Sequence, residues 1–277
     1  MKKLYSIGIA FLFALILMSS TSQAQIYEPE GLNMPGEWND NWVNPPTNLV
    51  LANPNQSPGG LLIKYSNGMA TWKTRIQVAA SGGDMIGGSY DWLFTSGPSD
   101  NYFANKWASV TINTDELQTY TYQGASDNTV TLSNDKWYTV VWEDAGYMDC
   151  RGIFMETSEE PVLITSVSEP ANVSENQIVD IDFTISESPC VEEVFYLQYT
   201  TNGWANSNVV SASLAGTNGS ASIPGQPEST VVEYNVFSST VNGLSTEGFL
   251  YAMEINDNNG SDYTYTIGTP LPDTCLL

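Results

Sequence analysis

Tryptophan is the residue type whose spacing in this sequence points most clearly to chemistry. Seven of the eight tryptophans lie between residues 38 and 142. Exposed indoles beside asparagine and aspartate are typical of sugar recognition, because the ring stacks on the apolar face of a pyranose while amides and carboxylates bond its hydroxyls. Trp38 and Trp42 fit this pattern, since they lie in the segment MPGEWNDNW, which is turn-rich and too polar for a core strand.

A second polar and aromatic segment, TSGPSDNYFANKW, covers residues 95–107. It adds Tyr102 and Trp107 to the candidate ligand-binding residues, and Trp92 lies just before it. The alternative interpretation is that these rings pin long loops onto the fold and contact no ligand.

Strand alternation separates core tryptophans from outward ones. Trp72 shares a face with Ile76 and Val78, so we expect it in the core, while Lys73, Arg75 and Gln77 form a basic outer face. In the segment KWYTVVW the two indoles are five residues apart, so a regular strand points them to opposite faces. These two residues are Trp137 and Trp142, and Trp142 is kept as a candidate.

Histidine is absent from the sequence, which excludes Ser-His-Asp and Cys-His catalysis, histidine-bound zinc and imidazole acid–base chemistry. A carboxylate-dependent glycoside hydrolase remains as a minor alternative, with Glu143, Asp144 and Asp149 as the acids near an aromatic segment. Adjacent residues on one strand point to opposite faces, so Glu143 and Asp144 make a poor catalytic pair by themselves. We therefore expect no enzyme.

The segment NDNNGSD, residues 256–262, resembles a calcium-binding loop in composition. An EF-hand loop needs an acid five residues before its glycine, whereas Ile255 holds that place before Gly260, so a polar hairpin turn is the better interpretation. We expect no cofactor, and leave a structural calcium ion on other loop carboxylates open.

Charge restricts the partners. Without residues 1–24 the chain keeps six basic and 31 acidic residues, a formal charge of about −25. Such a field repels nucleic acid and anionic membrane surfaces, so the expected partner is a neutral polysaccharide or a surface protein.

Three cysteines allow one disulfide and leave one thiol. Of Cys150, Cys190 and Cys275, the pair Cys190 with Cys275 is the first to test, because both lie in the C-terminal half. Incidental, unpaired cysteines remain the alternative.

The N-terminus predicts a cleaved signal peptide over residues 1–24. Lys2 and Lys3 precede an apolar run over residues 7–18, which is too short to span a bilayer, and small residues ending at Ala24 follow it. No later stretch approaches 18 apolar residues, so we expect no membrane span. The expected location is secreted, extracellular or cell-surface, with the periplasm as a further option.

Turn residues recur every eight to twelve positions between short runs rich in Val, Ile, Thr, Tyr and Trp, which predicts an all-β fold. The predicted strands include residues 109–113, 118–122, 136–143, 194–200, 208–214, 231–239 and 249–255. We expect two tandem β-sandwiches after the signal peptide, separated at the polar joint SEEP. The predicted divisions are a Trp-rich sandwich over 25–158, an immunoglobulin-like or fibronectin-III-like sandwich over 161–270, and a tail over 271–277.

Several segments resemble known exported modules. MPGEWNDNW, FTSGPSDNYFANKW and KWYTVVWEDAGY resemble parts of glycan-processing and surface proteins of Bacteroidetes-type bacteria. From Pro161 onward, YLQYTTNGW, GSASIPGQP and VVEYNVFSSTV are similar to fibronectin-III-like or starch-binding-like modules of secreted amylases. The resemblance implies carbohydrate binding, particularly of α-glucan, with Trp38, Trp42 and Trp204 as the residues carried over.

The sequence thus predicts a non-catalytic exported carbohydrate-binding protein that uses aromatic stacking and Asn/Asp hydrogen bonds. The main alternative is a structural or adhesive cell-surface module with a protein partner. The identity of the glycan and the oligomeric state are left open.

Overall fold

A computed structural model describes residues 32–38, 42, 61–64, 70–96 and 101–268. The predicted signal peptide, the tail and Cys275 lie outside the described residues. Within them the fold is all-β, as predicted, with no α-helix and two short 3₁₀ turns at Tyr102–Ala104 and Gly248–Tyr251. None of the described segments is a helix that is long and apolar enough to cross a membrane.

The N-terminal half, which we define as residues 32–158, has nine strands in its described residues. They are β1 (Leu61–Lys64), β2 (Ala70–Val78), β3 (Gly88–Trp92), β4 (Phe94–Ser96), β5 (Asn105–Ala108), β6 (Gln118–Tyr122), β7 (Asn128–Leu132), β8 (Lys136–Glu143) and β9 (Cys150–Thr157). Seven of them form one antiparallel sheet in the order β1-β2-β8-β9-β6-β5-β4, and β3 pairs with β7 in a separate ribbon.

An aromatic core fills the space beside the seven-stranded sheet. Trp92 meets Phe94 edge-on at a centroid distance of 4.7 Å, and Trp107 meets Trp142 at 5.0 Å. Trp72 is buried in the same core, as its alternation with polar neighbours predicted. Indoles and phenyl rings of this size bury large apolar areas, so they dominate the stability of this half.

Nine more strands build the C-terminal half, defined as residues 159–268. They are β10 (Ile164–Val167), β11 (Val179–Ile185), β12 (Val194–Thr200), β13 (Asn208–Ser211), β14 (Ser213–Ala215), β15 (Asn218–Ile223), β16 (Val231–Ser239), β17 (Ile255–Asn256) and β18 (Tyr263–Thr266). One sheet has the order β10-β11-β15-β14, and the other has β13-β12-β16 with β17 and β18 both paired to β16. These sheets enclose an aliphatic and tyrosine-rich core.

Three predicted strands differ from the structure for local reasons. Residues 109–113 make only an isolated bridge at Thr111, because Ser109 has a positive φ of 68° that breaks the extended chain. Residues 208–214 form two strands, since the chain leaves the sheet of β12 and enters that of β15. Residues 249–255 begin with a 3₁₀ turn, in which Phe249 and Leu250 are both buried although they are adjacent.

The basic face of β2 is not an outer face, which corrects the sequence prediction. Lys73 donates a hydrogen bond to the Met253 carbonyl at 2.9 Å, and Arg75 pairs with Glu254 and, at 3.4 Å, with Glu160. Burial lowers the pKa of Lys73. This face of the seven-stranded sheet packs against the C-terminal half.

Apolar side chains form the centre of that contact. Val141, Ile153 and Met155 of β8 and β9 pack with Met253 of the C-terminal half. β8 is therefore buried on both faces: Trp142 points into the aromatic core, while Trp137 points to the opposite face and is half-buried, as the odd spacing predicted.

The seven-stranded sheet and the β3-β7 ribbon precede residues 158–163 in the chain, and the other two sheets follow them. The sequence predicted a domain boundary at this segment. The boundary itself stays a prediction, because the two halves share a packed interface.

Candidate functional site

Four of the predicted ligand-binding tryptophans are buried. The exposed fractions are 0% for Trp92 and Trp107, 1% for Trp142 and 3% for Trp204. The first three belong to the aromatic core, and Trp204 packs against Phe249 at 4.9 Å beneath the second 3₁₀ turn. A ring enclosed by protein on both faces has no surface on which a sugar can stack, so the expectation that these rings face a ligand is corrected.

Two of the remaining predicted residues, Trp38 and Trp42, pack against different aromatic rings. Trp38 is half-buried, packs 5.5 Å from Trp92, and donates its indole N–H to the Met34 carbonyl at 2.9 Å. Trp42 packs 6.5 Å from Phe103. Tyr102 lies in the first 3₁₀ turn, and its side chain is outside the described part of the structure.

Two tyrosines that the sequence analysis did not select form the best candidate surface. Tyr122 ends β6 opposite Trp107 of β5, and Tyr147 lies in the loop between β8 and β9. Their ring centroids are 6.2 Å apart, and both rings pack on the buried indole of Trp107. We call Tyr122 and Tyr147, with the neighbouring Asn105 and Asp149, the aromatic edge.

Hydrogen bonds hold Tyr122 in place. Its hydroxyl donates to Oδ1 of Asn105 at 2.6 Å, and its backbone N–H donates to Oδ1 of Asp149 at 2.8 Å. A carboxylate offers about four acceptor positions, so Asp149 keeps acceptor capacity after this contact.

The loop that carries Tyr147 is anchored from below. The indole N–H of Trp107 donates to the Met148 carbonyl at 2.7 Å. Asp144 is buried and accepts from the indole of Trp72 at 3.1 Å and from the backbone N–H of Gly146 at 3.0 Å. The Cys150 thiol donates to the Met148 carbonyl at 3.2 Å, and burial raises its pKa to about 12. The exposed ring, 37% accessible, therefore rests on a rigid base.

The carboxylates considered for catalysis each have a structural partner. Glu143 accepts two hydrogen bonds from Arg151, at 2.7 and 2.9 Å, and Arg151 also reaches Glu247 of the C-terminal half at 3.1 Å. Asp144 and Asp149 hold the Tyr147 loop and Tyr122 as described above.

The segment considered for calcium is a turn between β17 and β18. The Asp262 N–H donates to the Asp257 carbonyl at 2.7 Å, and the Gly260 N–H donates to the Asp257 carboxylate at 2.9 Å. Burial raises the pKa of Asp262 to about 6, against hydrogen bonds from Asn235 and Trp204 that lower it. The described part of the chain holds no cluster of three His, Cys, Asp or Glu residues suited to a metal ion.

Cys150 and Cys190 are not joined to each other, and the predicted pairing with Cys275 lies outside the described residues.

A shallow groove of about 490 Å³ crosses the outer face of the β10-β11-β15-β14 sheet. It is lined mainly by short polar side chains, including Ser166, Asp182, Thr184 and Asn218. Exposed aromatic rings are missing from this lining, which distinguishes the groove from the aromatic edge.

The signals for Tyr122 and Tyr147 were present in the sequence but weak. Tyr122 ends a correctly predicted strand just before a Gln-Gly turn, and Tyr147 follows a glycine in a short polar loop. Neither position shows which buried indole lies beneath it.

Comparison of the chain with protein-family models, curated proteins and solved structures finds no match.

Proposed function

We propose that this chain is an exported, non-catalytic module that binds a neutral glycan at the aromatic edge. The observation that carries the proposal is the exposed Tyr147 ring, held on Trp107 beside Tyr122, Asn105 and Asp149. A fixed ring flanked by amide and carboxylate groups is the arrangement that stacks on a pyranose and bonds its hydroxyls.

Charge supports a neutral ligand over an anionic one. The full sequence has a formal net charge of −23, and no lysine or arginine occurs after Arg151. Arg151 is occupied by Glu143 and Glu247. An acidic sugar or nucleic acid would meet repulsion from so negative a protein.

The structural contacts of Glu143, Asp144 and Asp149 support a binding role over hydrolysis. A glycosidase needs two carboxyl groups facing each other across a cleft. In this region the acids instead bond a guanidinium, an indole and backbone N–H groups.

A cell-surface module with a protein partner is the second candidate. The strand order of the C-terminal half supports it, because a β10-β11-β15-β14 sheet facing β13-β12-β16 with β18 follows the immunoglobulin arrangement found in many surface proteins. In this version the C-terminal half is an immunoglobulin-like domain that spaces or presents the glycan-binding half.

Affinity electrophoresis through gels that contain neutral polysaccharides tests the proposal. We expect one or more polysaccharides to retard the protein, Tyr147→Ala to abolish the retardation, and Tyr147→Phe to preserve it because the ring remains. Tyr90→Ala, a tyrosine replacement on β3 beside Trp38, serves as the matched control and should migrate like wild type in every gel. Equal mobility of wild type and Tyr147→Ala across a broad panel contradicts the proposal.

A further inference from the structure

The geometry of the aromatic edge limits how much of a glycan it can hold. The ring planes of Tyr122 and Tyr147 are inclined by 49°, whereas Tyr147 lies within 17° of parallel to Trp107. Because the exposed Tyr147 ring and the half-buried Tyr122 ring do not share a plane, one sugar ring lying flat on Tyr147 leaves Tyr122 to contact it through the rim of its ring. Among the ring contacts of the described residues, a second sugar of an extended chain finds no ring coplanar with Tyr147 at the aromatic edge.

Hydrogen bonds hold the two tyrosines of the aromatic edge in position. The Tyr122 ring is tied at both ends, through its hydroxyl to Asn105 and through its backbone to Asp149. The Tyr147 loop is tied to the buried Trp107 through the Met148 carbonyl. Moving the Tyr122 hydroxyl away from Asn105, or the Met148 carbonyl away from Trp107, would break a hydrogen bond worth about 1 kcal/mol.

The neighbouring surface does not extend the stack. Lys106 alternates with Asn105 and Trp107 along β5, so its side chain points to the opposite face of the strand. Phe103, another exposed aromatic ring, packs with Trp42 at a 52° inclination, and no ring contact between Phe103 and Tyr147 occurs in the described part of the chain.

We propose that one sugar unit stacks on Tyr147 and that the aromatic edge binds the end, or a short side branch, of a neutral glycan. Tyr122 is a positioning residue: the rim of its ring orients the bound sugar unit. Its hydrogen-bond partners Asn105 and Asp149 help to orient the same unit. This inference rests on the proposed function and adds the size and placement of the ligand.

Isothermal titration calorimetry tests this inference by comparing neutral disaccharides with the matching hexasaccharides. The four series are α-1,4-linked glucose, β-1,4-linked glucose, β-1,4-linked mannose and β-1,4-linked N-acetylglucosamine. For the series that binds, we expect the Kd of the hexasaccharide to lie within about threefold of that of the disaccharide, which is about 0.7 kcal/mol. Tyr147→Ala should weaken binding by at least about tenfold. Phe103→Ala, at a residue that is also 37% exposed, should change it by less than about twofold.

The outcomes separate the two proposals. Recognition along a chain would give a hexasaccharide that binds more than about threefold tighter than the disaccharide, with the gain lost in Phe103→Ala. This result overturns the inference and leaves the proposed function standing. Absence of binding in all four series, or binding unchanged by Tyr147→Ala, overturns both.

Discussion

The two halves of this molecule differ sharply in charge. All six basic residues outside the predicted signal peptide lie in residues 25–158, while residues 159–277 contain 16 acidic residues and no basic ones. Four of the six contact acidic groups or carbonyls across the interface or at its rim: Lys73, Arg75, Lys136 and Arg151. In this acidic protein these four cations join the two halves.

The halves also differ in how they use aromatic residues. The N-terminal core is built on stacked and edge-on indoles, and one of them, Trp107, supports rings that reach the surface. In the C-terminal half, Trp204 is enclosed with Phe249 and leads to no exposed ring. Of these two indoles, only Trp107 lies beneath a partly exposed aromatic ring, Tyr147.

Replacing these two indoles by alanine should give the largest effects and sharpen the contrast. Trp107→Ala and Trp204→Ala should each lower the free energy of unfolding by about 3–5 kcal/mol, because both remove a large buried ring. Only Trp107→Ala should also abolish retardation by glycan, when measured at a temperature where both variants remain folded. Equal loss of retardation in both variants would place the ligand outside the aromatic edge.

Met253→Ala should have the next largest effect, because this side chain is fully buried between the halves. We expect a loss of about 2–5 kcal/mol in unfolding free energy, measured by urea titration with tryptophan fluorescence. Met148→Ala is the matched control; its side chain is 50% exposed, so the change should stay within about 0.5 kcal/mol. A near-neutral Met253→Ala contradicts a packed interface.

Arg75→Gln should destabilise by a smaller amount, about 1–3 kcal/mol, because it leaves Glu254 half-buried without its cation. Lys106→Gln removes a cation that makes no ion pair with the described residues, and should change stability by less than about 0.5 kcal/mol. Similar losses from the two replacements in thermal melts would show that the interface cations have no special role.

Asp262→Asn should show the smallest effect, visible in its pH dependence. The folded protein holds the proton on Asp262 up to about pH 6, whereas the ordinary pKa is 3.8. The stabilisation due to this proton is present below about pH 4 and is lost as the pH rises to about 6. After allowance for solvent screening, Asp262→Asn should gain about 1 kcal/mol on wild type between pH 4 and pH 7 in urea titrations. A difference that is constant with pH contradicts the raised pKa.

The strands were largely predictable because alternation and turn residues are local. The prediction of β6, β8, β12 and β16 has the observed boundaries, and the all-β class follows from such segments. What failed depends on distant contacts. The partners of Lys73 and Arg75 are about 180 residues away, so the pattern of β2 alone made them look solvent-facing.

The candidate site was only partly predictable for the same reason. The sequence analysis chose indoles by residue type, but Trp92, Trp107 and Trp142 converge in one core through strand pairings that no local pattern reveals. Tyr122 and Tyr147 become a surface pair only because β5, β6 and the loop before β9 meet at Trp107.

Amide chemical-shift mapping on the isotopically labelled protein tests the central claim most directly. Upon addition of the neutral oligosaccharide that binds most tightly, we predict that the largest shifts fall on Asn105, Tyr122, Tyr147 and Asp149. Shifts that cluster instead in the groove of the β10-β11-β15-β14 sheet, around Asp182 and Asn218, would contradict the aromatic edge as the binding site.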